Sequence, residues 1–162
     1  MSYTNFALMI FTSILLMFGL MYLNTYQVSH IWFSETRAFV ALVMGATMTV
    51  VMLGFMWKHY RDAKIKTGIM STAVLVFTGS LWLVRSQATV EDVYWMKAMI
   101  PHHSIAILTS SRAQIKDPAV RDLADRIISS QTREIDEMKR HLDDLGAGRP
   151  ATKVVDGARV SP

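Results

Sequence analysis

The chain has 162 residues, of which 51% are hydrophobic and none is cysteine, and its formal net charge is +4. The apolar share and positive mean hydropathy exclude an ordinary soluble domain, and the lack of cysteine excludes disulfides and thiolate ligands. The charge does not point to nucleic acid: residues 1–85 hold six Lys/Arg against two Asp/Glu and residues 86–162 hold eleven of each, so the excess lies wholly in the apolar half.

Residues 5–23, 37–57 and 67–84 contain no Asp, Glu or Lys, and Arg only at the Arg37 edge. Each run approaches the roughly 20 residues that a helix rising about 1.5 Å per residue needs to cross a hydrocarbon core. The sequence therefore predicts three transmembrane helices, about 5–23, 37–57 and 67–85, in a membrane domain of residues 1–86. The first is expected to stay in the mature protein, because "MSYTNFALMIF" has no basic flank and "MFGLMYLNTYQ" no small-residue cleavage site. The loop "KHYRDAKIK" sets Lys58, Arg61, Lys64 and Lys66 against Asp62, which assigns it to the cytoplasmic side. The expected topology then puts the N-terminus in the cytoplasm, loop 24–36 outside, and everything after Arg85 in the periplasm or cell exterior, with the spans in a bacterial inner membrane. Tyr22, Tyr26, Trp32, Trp57, Tyr60, Trp82 and Trp95 cluster where the membrane–water interfaces fall.

In the second span, Ala41, Gly45 and Thr49 recur every four residues and offer a small-residue face for close helix packing. Beside them runs a stripe of Met44, Met48, Met52 and Met56, which Met9, Met17 and Met21 of the first span are expected to meet. A thioether ladder guiding Cu(I), and with it a transport role, is one reading of the stripe; flexible packing of a helix interface is the other.

After the third span, "SQATVED" breaks the chain, with Thr89 as expected N-cap of a helix from about 90 to 115. "KDP" ends that helix and starts the next, with Asp117 as N-cap and Pro118 in the first turn. The second helix, 118 to about 145, carries Val120, Leu123, Ala124, Ile127, Ile128, Ile135, Met138, Leu142 and Leu145 at helical spacing. "GAGRP" closes it, and residues 147–162 are expected to form a flexible tail. The predicted fold is thus all-α: three transmembrane helices, then an extracytoplasmic antiparallel hairpin over residues 87–146. Two helices bury little surface alone, and a homodimer completing a four-helix bundle is the simplest solution; a membrane or periplasmic protein partner is the alternative.

With the turn centred near 117, His103 faces Gln131, Met99 faces Ile135 between Glu134 and Met138, and Met96 faces Met138. Met96, Met99 and His103 share one face of their helix, and Gln131, Glu134 and Met138 share one face of theirs. Thioether and imidazole suit Cu(I), and imidazole also suits Cu(II). His102 and His103 point about 100° apart and cannot both face the core without a distortion, which Pro101 is placed to supply. Plain core packing, with Gln131 hydrogen-bonded to a buried His103, explains the same residues. His30 is a further candidate ligand from the external loop, and His141 is expected to face the helix dipole. No Glu-x-x-His pair, Ser/His/Asp arrangement or phosphate-binding glycine loop is present, so no enzyme is expected.

The segments "YWMKAMIPHHSIAI" and "LADRIISSQTREIDEMKRHL" resemble the family called domain of unknown function 305, over about residues 89–145. That resemblance implies a ferritin-like helical bundle and, since some members are tied to periplasmic copper binding and tolerance, a copper site at Met96, Met99, His102, His103 and Met138 with Gln131 and Glu134 alongside. The family often has a further Met where this chain has Thr109. The expected function is a membrane-anchored extracytoplasmic protein that binds Cu(I) or Ag(I) for storage, transfer or tolerance. The alternative is a structural or accessory membrane subunit whose hairpin docks on a partner.

Overall fold

The computed structural model describes residues 2–148, 153–155 and 158–160. Its helices are α1 (Tyr3–Leu20), α2 (Glu35–Phe55), α3 (Ala63–Ser86), α4 (Asp92–Arg112) and α5 (Pro118–Gly146), with one 3₁₀ turn over Val28–His30. Near the C-terminus β1 (Lys153–Val155) pairs antiparallel with β2 (Ala158–Val160), a ladder that the expectation of a flexible tail did not contain. Residues 149–152, 156–157 and 161–162 of that tail lie outside the described residues.

Local chemistry sets the helix ends. Ser2 and Ser34 accept from the backbone N–H groups of Asn5 and Arg37, and one Asp62 carboxylate oxygen accepts from Lys64 and Ile65. Asp117 does the same for Ala119 and Val120, with Pro118 in the first turn of α5. The Asp62 cap explains why α3 begins at Ala63, ahead of the apolar run. Thr89 is not the cap of α4: that position falls to Glu91, whose side chain makes no capping bond, and the Thr89 hydroxyl instead lies 3.5 Å from Glu35.

The chain divides into two compact units, one of Met1–Leu23 with Ser34–Val90, the other of Asn24–Phe33 with Glu91–Pro162. In the first, α1, α2 and α3 are each long and apolar enough to cross a membrane. Helix α2 packs against both others, while no α1 Cα comes within 8 Å of an α3 Cα. The small face of α2 is buried at Ala41, Gly45 and Thr49, and the Thr49 hydroxyl is satisfied by the Gly45 carbonyl at 2.8 Å. A Cβ built on Gly45 overlaps Cγ1 and Cδ1 of Ile14, so α1 closes on α2 through this glycine. Gly45→Leu should therefore lower stability by about 1–3 kcal/mol through overpacking, read as an earlier melt in detergent.

The methionine stripe packs on apolar side chains. Met9, Met48, Met52, Met56 and Met70 surround a buried cluster of Phe6, Ile10, Leu53 and Tyr60, whereas Met44 is largely exposed.

The second unit is a hairpin turning through residues 113–117. Met96, Ile100 and Ile107 of α4 meet Ile135 and Met138 of α5 in its core. Met99, Ile128, Leu142 and Leu145 pack around them, as does Trp32 from Asn24–Phe33. Val120 and Leu123, expected in the core stripe, are exposed. Val120 lies in the first turn of α5, and Leu123 falls beside the line through buried Ala124, Ile135 and Met138 and partly buried Ile128.

Candidate metal centre

Helix α4 buries Met96, Ile100, Ser104 and Ile107, at spacings of four, four and three that define its inner face. His103 stands on the flank of that face, one turn from Met99, with its side chain 14% exposed. His102 points outward and is exposed, its ring centroid 6.2 Å from that of His103. Pro101 is buried inside α4 without ending it, so the helix continues and only one of the two imidazoles turns inward.

The partner of His103 is Glu134, with Nε2 3.2 Å from Oε2. Gln131, expected opposite His103, is half-buried one helical turn away on the same face of α5. The other Glu134 oxygen accepts from the Ser130 hydroxyl at 2.7 Å, which fixes the carboxylate. Burial pushes the His103 pKa below its ordinary value; the Glu134 carboxylate opposes this and His102 adds to it. The ring is therefore neutral at neutral pH. With its Nε2–H directed to Glu134, the lone pair sits on Nδ1, which is buried and has no hydrogen-bond partner. Met96 and Met138 are both buried in the adjoining core and Met99 packs against it. Among the described residues no group of three or more His, Asp or Glu side chains gathers as a hard-ion site.

Residues 83–154 match the family described as domain of unknown function (DUF305). An uncharacterized protein of Acanthamoeba polyphaga mimivirus is 34% identical over 108 residues, covering 65% of this chain and 69% of that protein. The chain belongs to the DUF305 family. No solved structure matches it. All seven sequence-derived site residues, Met96, Met99, His102, His103, Gln131, Glu134 and Met138, fall inside the DUF305 match.

Outside the match, His30 does more than the sequence revealed. It is buried, and its Nδ1 lies 2.9 Å from the Oγ of Ser104, itself fully buried. The same hydroxyl accepts the Tyr26 N–H at 2.7 Å, so one serine of the DUF305 hairpin clips a preceding loop at two points. Ser104 was not among the sequence candidates; its signal was a hydroxyl at a core position, four residues after Ile100 and three before Ile107. His141, expected to face the helix dipole, pairs within α5 with Glu137 at 3.7 Å.

Burial and Lys139 lower the His30 pKa below 6.5, against the opposing charge of Asp136. The unfolded chain then binds more protons than the folded one below that value, so stability falls as pH drops through it. Thermal melting of the DUF305 hairpin should weaken on acidification below about pH 6.5, by at most about 1.4 kcal/mol per pH unit from this group, with a shallower slope in His30→Gln.

Proposed function

We propose that this DUF305 protein is a membrane-anchored, extracytoplasmic binder of Cu(I), and by the same chemistry Ag(I), serving storage, transfer or tolerance. The observation that carries the reading is the buried, unpartnered Nδ1 of His103, whose opposite nitrogen is held by Glu134. A carboxylate that takes one imidazole N–H fixes the tautomer and raises the basicity of the other nitrogen, which is how metal-binding histidines are oriented. Nδ1 of His103 and the thioethers of Met96, Met99 and Met138 are the proposed ligands, a soft set that favours Cu(I) over Cu(II). Glu134 then orients the imidazole, and His102 and Gln131 stand outside the ligand set.

The topology has its own support. Asn24–Phe33 follows α1, and Glu91 onward follows α3, yet both belong to one compact unit. Segments that pack together lie on one side of a membrane, and the basic loop between α2 and α3 assigns the other side to the cytoplasm. Exposed Val120, Leu123, Tyr94 and Trp95 supply apolar surface for a homodimeric four-helix bundle.

A second reading, an assembly subunit without metal, draws on Met96 and Met138, each 6% exposed like ordinary core residues. Titrating the detergent-purified chain with Cu(I) against a chromophoric chelator separates the two. Tight binding in the wild type that is lost in Met99→Ala/His103→Ala supports the copper site. Affinity equal in both proteins, with only the melting temperature lowered in the variant, leaves the assembly reading.

A further inference from the structure

The membrane-crossing unit holds an apolar cleft of about 620 Å³ between α1 and α3, floored by Gly45, Ala46 and Thr49 of α2. It exists because α1 and α3 flank α2 without touching backbones, and because Gly68, Thr72 and Ala73 keep the α3 wall low. We infer that this cleft holds one acyl chain of an anionic phospholipid whose phosphate rests on the basic loop at residues 58–66. The inference is independent of the copper site and rests on the three spans.

Three features select this occupant. Along α3 the lining runs from Ile65 to Val76, about 16 Å at 1.5 Å per residue, or about half the hydrocarbon thickness. That is the depth of one leaflet, which suits a lipid chain; a helix from another protein would need a groove running the full thickness. The lining is almost wholly apolar: the Thr49 hydroxyl is bonded to the Gly45 carbonyl and the Tyr3 hydroxyl to the Asp62 carbonyl, leaving Thr72 as the one further hydroxyl, so hydrocarbon suits it.

The third feature is charge at the mouth, where Tyr3 and Ile65 line the cleft beside the loop. Lys58, Arg61 and Lys64 are exposed there. The Asp62 carboxylate is turned to the α3 backbone as its cap, and Lys66 is turned to Trp57, with Nζ 3.2 Å from the carbonyl and 4.4 Å from the ring centroid. Three cations next to an apolar slot one leaflet deep complement a phosphodiester headgroup and its tail.

The test is native mass spectrometry of the delipidated full chain in detergent, with dioleoyl-phosphatidylglycerol or dioleoyl-phosphatidylcholine added. One phosphatidylglycerol should be retained per chain, at least about tenfold more tightly than phosphatidylcholine. Lys58→Gln/Arg61→Gln/Lys64→Gln should bind both lipids alike. Gly68 lines the cleft and a Cβ there meets nothing within 4 Å, so Gly68→Leu should project into the slot from an uncrowded position and abolish the retained lipid. Gly79→Leu, equally open but outside the cleft, should leave retention intact and controls for folding. Equal retention of both lipids by the wild type, an undiminished adduct in Gly68→Leu, or a lipid-free dimer would overturn the assignment.

Discussion

Glu134→Ala should bind Cu(I) about 10- to 100-fold more weakly than the wild type while melting close to it. The size follows from removing the group that holds a metal-binding imidazole: His103 loses the acceptor that fixes its tautomer, and its Nδ1 becomes a weaker base. The small stability effect follows from exposure, since the Glu134 side chain is 46% accessible and the hydrogen bond it accepts from a neutral histidine contributes little. His103→Ala removes the ligand itself and should lose more affinity than Glu134→Ala, and His102→Ala, on the outer face, should lose almost none. Competition with a chromophoric Cu(I) chelator reads all three. A metal-free hairpin would give the same Cu(I) binding in every variant.

Ser104→Val should destabilise the second unit by roughly 2–4 kcal/mol. Valine replaces the hydroxyl with a methyl and adds a second, so some overpacking joins a larger polar cost: the Tyr26 N–H and His30 Nδ1 both lose the hydroxyl they share in a fully buried position. Each buried polar group left without a partner costs about 1–3 kcal/mol. The expected readout is a melt lowered by about 10 °C or more, with faster amide exchange at Tyr26. Ser104→Thr retains a hydroxyl and should recover part of the loss. If Ser104→Val melts with the wild type, the loop is not held by this hydroxyl.

These two residues also mark how far the sequence could be read. The apolar runs were legible because a hydrocarbon core demands length without charge, and α1, α2 and α3 meet that demand. Asp117 and Pro118 announced α5 because a cap and a missing N–H act locally. Pairing across the hairpin was less legible: a symmetric turn at 117 put Gln131 opposite His103, and the observed partner, Glu134, is one turn along the same face. Which imidazole turns inward depended on the path of α4 through Pro101, and the helix continued there. The docking of Asn24–Phe33 was hidden altogether, because it rests on contacts between residues 74 and 78 positions apart. A serine among isoleucines was the one local trace of it.

X-ray absorption at the copper edge of the Cu(I)-loaded protein tests the His103 site most directly. Copper held at this site should show a first shell of mixed sulfur and nitrogen, with thioethers from the methionines and one imidazole that disappears in His103→Ala. A shell of nitrogen and oxygen alone, or a spectrum unchanged in His103→Ala, would contradict it.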